Sequence, residues 1–290
     1  MKFKTVFSKL LLIFMAASVV LSVSGNKVYA DSYKTVTLGG DLTDSQKQDM
    51  LKYFGVDKQS ANVIEVNIDE EKKYLGDTVD SSKIGTKSIS CSYVEPTSSS
   101  GINVSINNID WVSSSMIKNA LITAGVKNAN VKVSAPFSVS GTAALTGILK
   151  GYENNTNGSK ISEDKKKVAN EELATTADLG DKIGKDKAAG VMNDIKTQVI
   201  KDKPKNEDAV RKIVENTVNN YNLNLSSGDI NKITVLMNKI NGLGLNFSDI
   251  KSQLNGVANQ MKDVLSSEQA QGFFSKLAAS IKSFFQGLFN

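Results

Sequence analysis

The sequence predicts an α+β fold, with a mixed or antiparallel sheet of five or six strands and two or three helices, followed by a C-terminal helical bundle region. Apolar residues alternate along several short segments before residue 135, as is typical of half-buried strands, and helical spacing separates these segments. From Thr142 onward the helical spacing is almost continuous. These patterns divide the chain into a leader at residues 1–30, a head at 31–150, a helical region at 160–265 and a final helix at 267–290.

The head begins with a predicted strand at residues 35–38, which ends at the two glycines that follow it. Thr43 and Gln46 have the spacing of a capping box, so a helix is expected to start there and to run to about Phe54. Gly55 suits the left-handed position that follows many helix ends.

Three further segments of the head alternate as strands do, at residues 62–68, 87–94 and 102–107. Residues 70–75 between them are expected to form a short helix. The proline- and glycine-containing residues 96–101 predict a hairpin-like link between the last two of these strands.

The strand and helix pattern then returns. A helix that Ser113 or Ser114 caps should end at Gly125, with a strand at residues 130–134. Each predicted helix ends in a Gly-Val pair, at positions 55–56 and 125–126, and each lies between two predicted strands. We interpret the two segments as related β-α-β units that share one sheet.

The N-terminal leader has the three parts of a secretory signal peptide. Three lysines among the first nine residues precede an apolar run at residues 10–23, and small or compact residues end at Ala30. Cleavage would make Asp31 the first mature residue, and the chain would work outside the cytoplasmic membrane. An uncleaved N-terminal anchor is the alternative. There is no cysteine near the cut, which excludes a lipid-modified N-terminus.

Removal of the leader changes the charge balance. The whole chain carries 35 basic and 30 acidic residues, and the leader holds four lysines and no acid, which leaves 31 against 30. The basic character is therefore a property of the leader and does not indicate a nucleic-acid partner.

The composition excludes several chemistries. Without histidine the chain has no Ser-His-Asp or Cys-His catalysis and no histidine-ligated zinc, and its single cysteine allows no intramolecular disulfide. The alternation around Cys91 predicts a buried structural thiol on a strand rather than a reactive or dimer-forming one. We therefore predict no catalytic, cofactor-binding or metal-binding residue, and no cofactor.

One candidate binding site is a predicted helix start after the last strand of the head. Ser138, Ser140, Gly141 and Thr142 would surround free N–H groups that can bind a phosphate or a carboxylate. Two alternatives are that Ser140 caps the helix while small residues pack it on the sheet, and that a serine here works with Lys150 as a nucleophile.

The second candidate surface is the C-terminal helix. Apolar stripes between residues 210 and 264 are expected to be core seams of the helical bundle, whereas the last helix has a bulky face with two lysines on its other side. Such a helix can lie on a membrane surface, or it can dock on the protein itself or on a second copy. The predicted face contains Phe273, Phe274, Leu277, Ile281, Phe284, Phe285, Leu288 and Phe289.

Several segments also carry a resemblance to a known family. They are residues 36–43, 74–76, 84–90, 119–152 and 172–184, and the most specific is Gly-Thr-Ala-Ala-Leu-Thr-Gly at positions 141–147. This set resembles the YpuA-like family of secreted proteins of Gram-positive bacteria, which is functionally uncharacterised. The resemblance implies export and a Gram-positive source, and it assigns no catalytic residue.

The sequence thus predicts an exported protein of the cell envelope that acts as a non-enzymatic binding module for an envelope component or a partner protein. The alternative is a carboxylate-dependent hydrolase that acts on cell-wall polymer. A cleft with two convergent carboxylates about 5–10 Å apart would favour the hydrolase.

Overall fold

The sheet is mixed and has five strands in the order β2-β1-β3-β5-β4. A computed structural model describes residues 34–76, 79, 81–155, 157–264 and 268–286, so the predicted leader and its cleavage site lie outside the described residues. The strands are β1 (Thr35–Gly39), β2 (Asn62–Val66), β3 (Cys91–Pro96), β4 (Ile102–Ile109) and β5 (Ala129–Val139).

Two parallel strand pairs flank one antiparallel strand. Strand β1 pairs with β2 and β4 pairs with β5 in parallel, whereas β3 lies between β1 and β5 and runs antiparallel to both. The predicted mixed α+β sheet is therefore confirmed. Four strands point the same way, so their carboxyl ends share one edge of the sheet.

The helix within each parallel pair begins and ends as its local sequence predicts. Helix α1 (Asp44–Phe54) starts at a capping box between Thr43 and Gln46, and α4 (Ser114–Ala124) starts where Ser113 caps it. Each ends at a left-handed glycine, Gly55 with φ 71° and Gly125 with φ 88°. Both predicted β-α-β units are thus parallel strand pairs joined by a helix.

The prediction of a hairpin-like link between β3 and β4 is wrong, because β5 lies between these two strands in the sheet. The loop that precedes β5 instead accepts two backbone hydrogen bonds from this segment: Thr97 N–H donates to the Asn128 carbonyl at 3.2 Å, and Gly101 N–H donates to Asn128 Oδ1 at 2.8 Å. A crossover through α4 returns the chain to the sheet beside β3, which separates the two predicted neighbours.

Some strand boundaries also differ from the prediction. Strand β2 ends at Val66 because Asn67 caps helix α2 (Ile68–Leu75) through a capping box with Glu70. Strand β5 continues to Val139, beyond the predicted end, because Val139 pairs with Ile109 after a register shift.

The sheet packs on two separate cores. Helix α1 covers one face over β1 and β3, where Phe54 and the strand residues Val36, Leu38 and Cys91 are buried. Cys91 is the buried thiol that the alternation predicts, and burial raises its pKa to about 11. The other face, which includes Val131, belongs to the large core that continues into the helical region.

The remaining described helices complete the architecture, and the sheet and helices belong to one compact unit. Helix α7 lies centrally and holds Lys196, which is fully buried and pairs with the buried Glu172 at 2.7 Å. The helices are α3 (Ser81–Ile84), α5 (Thr142–Glu153), α6 (Glu163–Ile183), α7 (Lys185–Asp202), α8 (Glu207–Asn220), α9 (Ser227–Gly242), α10 (Phe247–Val264) and α11 (Glu268–Gln286).

Candidate functional site

The predicted helix start is the junction between β5 and α5. Gly141 occupies the cap position with φ 89°, and no side chain caps the helix, so the alternative that Ser140 caps it is wrong. A Cβ at Gly141 would lie 2.6 Å from Ile109 Cγ2, which leaves room for glycine alone. Ser140 Oγ instead lies 3.4 Å from Thr142 Oγ1.

Acidic side chains surround this helix start. Thr142 Oγ1 donates to Glu71 Oε2 at 3.1 Å, and Ser138 Oγ donates to Asp110 Oδ2 at 2.9 Å. Glu71 is completely buried, and burial raises its pKa to about 7. An entering anion would meet two carboxyl groups, so these surroundings favour the packing alternative. Anion binding here stays a prediction.

Helix α5 lies close to the sheet through small residues. A Cβ at Gly147 would lie 3.3 Å from Ser92 Oγ, and one at Gly151 would lie 3.1 Å from Thr37 Oγ1. Thr37 Oγ1 donates to the Gly147 carbonyl at 2.9 Å. Lys150, the possible base for a serine nucleophile, is ion-paired with Glu70 at 2.6 Å.

The C-terminal helix α11 docks on the protein's own body through part of its predicted face. Leu277 is fully buried and Phe273 nearly so, and the rings of Phe273 and Tyr221 lie 4.7 Å apart. The side chains of Phe274, Ile281, Phe284 and Phe285, and the residues Leu288 and Phe289, lie outside the described part of the structure.

One feature that the sequence did not reveal is an uncovered polar half of one sheet face. Helix α1 packs on this side against β1, β3 and part of β5, where Ser134 is buried, whereas β4 and the first residues of β5 present polar side chains to solvent. Parallel strands are usually covered on both faces, so this exposure is unusual. The open polar face, as we define it, consists of Glu95, Asn103, Ser105, Asn107, Asn130 and Lys132.

The register of the strands orders these side chains into rows. Glu95, Asn130 and Asn103 lie opposite one another across three strands. Asn103 Nδ2 donates to Asn130 Oδ1 at 3.1 Å, and Asn130 Nδ2 donates to Glu95 Oε2 at 3.4 Å. In the next row Lys132 Nζ lies 5.3 Å from the centre of the Tyr93 ring. The two rows line a shallow groove of about 310 Å³.

The alternation along β4 was visible in the sequence as Asn103, Ser105 and Asn107 between apolar residues. That signal identifies a polar side of a strand. It does not tell whether a helix or solvent lies opposite, because coverage depends on where α1 packs.

Carboxylates in the described clefts are mostly neutralised by lysine. One cleft contains Asp181 and Asp229, which pair with Lys83 at 2.8 Å and with Lys182 at 2.5 Å. Asp178 also lines this cleft, and burial raises its pKa. A second contains Glu70 and Glu153, which pair with Lys150 at 2.6 Å and with Lys166 at 3.0 Å. The described part of the chain has no cluster of three acidic or cysteine residues arranged to hold a metal ion.

The fold and the site define an α+β protein whose mixed sheet exposes an ordered polar face and whose C-terminal half is helical. The chain belongs to the family described as "Protein of unknown function (DUF1002)", which matches residues 38–257. It is 38% identical over 244 residues to "Uncharacterized protein YpuA" of Bacillus subtilis (strain 168), and the match covers 83% of each chain. The resemblance found in the sequence is thus confirmed.

No solved structure matches the chain. Among the described helices, none combines the length and the apolar character that crossing a membrane requires.

Proposed function

We propose that the chain is an exported, non-enzymatic binding protein of the cell envelope, and that its open polar face holds a glycan strand. Export rests on the sequence of the leader, with its lysines, its apolar run and its small residues before Asp31. The single observation that carries the binding role is the ordered row of Glu95, Asn130 and Asn103 on the part of the sheet face that helix α1 leaves uncovered.

The side chains of the open polar face suit a neutral polymer rich in hydroxyl and amide groups. Each asparagine offers two N–H donors and a carbonyl acceptor, and Ser105 adds a hydroxyl. Glu95 and Lys132 bring one charge of each sign, so the face has no net charge to attract a phosphate polymer. An acetamido-bearing glycan offers the complementary donors and acceptors.

The shape of the face also favours a strand of polymer. Strands rise about 3.3 Å per residue, so Asn103 and Asn107 lie roughly 13 Å apart along β4. Three neighbouring strands give a width of about 10 Å. Such an elongated, shallow surface matches an extended chain better than a compact small molecule, which usually binds in a deep cleft.

The hydrolase alternative has weaker support. The open polar face offers one carboxylate, Glu95, whereas glycoside hydrolysis ordinarily uses two. In the clefts with Asp181 and Asp229 or with Glu70 and Glu153, lysines hold these carboxylates. Asp178 has a raised pKa and also lines the first cleft, but lysines hold both of the other carboxylates described there. A carboxylate held by lysine is disfavoured as a proton donor, because the positive charge stabilises its ionised form.

The test is co-sedimentation of the mature protein, residues 31–290, with purified peptidoglycan that has been stripped of teichoic acid. The double variant Asn103→Ala/Asn130→Ala should bind at least about tenfold more weakly, because each lost hydrogen bond contributes about 1 kcal/mol. Asn216→Ala, at an exposed position on α8, is the matched control and should bind normally. Absence of wild-type protein from the pellet, or equal pelleting of all variants, would refute glycan binding at this face.

A separate measurement tests export. Mass spectrometry of the native protein should find Asp31 at the N-terminus, outside the cytoplasmic membrane. An intact Met1 on cytosolic protein would contradict this part of the proposal and leave the binding assay unaffected.

A further inference from the structure

A polar cleft of about 590 Å³ lies between α7, α8 and the C-terminal helix α11. Asp194 and Gln198 of α7 and Tyr221 at the end of α8 form one side, and Lys276 and Ser280 of α11 form the other. The volume is in the range of small-molecule sites, which is about 300–1,000 Å³.

Asp194 is a buried carboxylate that only neutral groups hold. It is 3% exposed, and it accepts hydrogen bonds from the Tyr221 hydroxyl at 2.9 Å and the Ser280 hydroxyl at 2.8 Å. Gln198 Nε2 donates to the same carboxylate at 3.2 Å. A carboxylate has about four acceptor positions, so one remains, and no described lysine or arginine forms an ion pair with Asp194.

This arrangement leaves the negative charge of Asp194 without a counter-charge in a buried place. Burial accordingly raises the pKa of Asp194, which the three hydrogen bonds oppose only in part. Burying an ionised group is costly unless an opposite charge accompanies it. A ligand ammonium would supply both that charge and the missing hydrogen bond.

Lys276 brings the opposite charge to the rim of the cleft. It is exposed and lies one helical turn before Ser280, on the same side of α11. Its Nζ donates to the Asn220 carbonyl at 2.7 Å and to the Asn222 side-chain oxygen at 3.2 Å, which leaves one of the three donors of the ammonium group. Among the described side chains, no carboxylate lies within ion-pair distance of it.

We propose that this cleft binds a small zwitterion of the amino-acid class, with the ligand's ammonium group at Asp194 and its carboxylate at Lys276. The two protein groups have opposite charges, stand on different helices and lack charged partners of their own among the described residues. The ligand would therefore connect the last helix to the body of the protein. This site is distinct from the open polar face, and its ligand is not a polymer.

The family match covers one side of the cleft only. Residues 38–257 include Asp194, Gln198 and Tyr221, whereas Lys276 and Ser280 lie beyond the match. The ligand specificity that we infer thus depends on a helix that follows the matched region.

Isothermal titration calorimetry of the mature chain, residues 31–290, tests the proposal with glycine, L-alanine and D-alanine as probes. Acetate and methylamine, each with a single charge, serve as comparison ligands and should bind at least tenfold more weakly than the best zwitterion. Lys276→Gln should lower the affinity for that zwitterion at least tenfold. Lys282→Gln, an exposed lysine on the same helix, should leave it unchanged.

Asp194→Asn should abolish binding of the zwitterion, with circular dichroism as the check that the buried substitution has not unfolded the protein. Lys276→Gln is at an exposed position and tests the site independently of that risk. Three results would overturn the proposal: no binding of any of the three probes, equal binding of acetate or methylamine, or binding that Lys276→Gln does not weaken.

Discussion

Replacing Glu71 by glutamine should make the folded protein more stable at neutral and alkaline pH. Glu71 is completely buried on α2 and accepts a hydrogen bond from Thr142 at 3.1 Å. Burial is the main cause that raises its pKa from 4.5 to about 7; Asp41 raises it further, and Ser88 and Thr142 lower it. Glutamine keeps the shape and an acceptor oxygen, and it removes the ionisable group.

The magnitude follows from the two pKa values. The folded state binds the proton of Glu71 more tightly than the unfolded chain does, so both states are protonated below about pH 4 and no cost arises. Between 4.5 and about 7 the free energy of unfolding should fall as the pH rises, because only the unfolded chain has lost this proton. At about 1.4 kcal/mol per pH unit, the full cost above pH 7 is about 3 kcal/mol.

Urea denaturation followed by circular dichroism at pH 4, 6 and 8 measures this effect. Glu71→Gln should match the wild type at pH 4 and exceed its free energy of unfolding by up to about 3 kcal/mol at pH 8. Glu215→Gln, on the exposed side of α8, is the control and should follow the wild type throughout. If the stability difference between Glu71→Gln and the wild type were the same at every pH, the assignment of a desolvated carboxyl to Glu71 would be refuted.

Three further predictions concern the core, the last helix and the thiol. Lys196→Met should lower the free energy of unfolding by about 3–5 kcal/mol, because it leaves the Glu172 charge buried and unpaired. In urea denaturation the double variant Lys196→Met/Glu172→Leu should recover most of this loss. A double variant that is no more stable than the single variant would contradict the prediction. Leu277→Ala should cost about 2–5 kcal/mol of docking energy and speed hydrogen exchange within residues 268–286, and unchanged exchange there would argue against docking on the body. Cys91 should react with a thiol reagent at pH 8 only on unfolding, since burial raises its pKa to about 11, so rapid labelling of the native protein would count against its burial.

Features that depend on adjacent residues could be predicted from the sequence. The capping box of Thr43 and Gln46 and the left-handed Gly55 and Gly125 are all where the sequence placed them. Each depends on side-chain and backbone groups within one helical turn, so four or five residues carry all the information.

Features that depend on distant segments could not be predicted from the sequence. The neighbours of β3 are set by the way β5 returns through α4, and nothing in residues 96–101 reports that return. The open polar face results from where α1 packs, and the cleft at Asp194 brings together α7, α8 and α11. Of the candidate residues, the sequence identified Phe273 and Leu277 as part of an apolar face, but it could not show that Phe273 contacts Tyr221.

The single reversed strand at the centre of the sheet has a consequence for how the head folds. Without β3, each parallel pair would have two strands only and no backbone hydrogen bonds to the other pair. Neither pair would then belong to a sheet of three or more strands, which has a greater independent stability than two strands alone. Because β3 joins the two parallel pairs, the two halves of the sheet should unfold together in one cooperative transition.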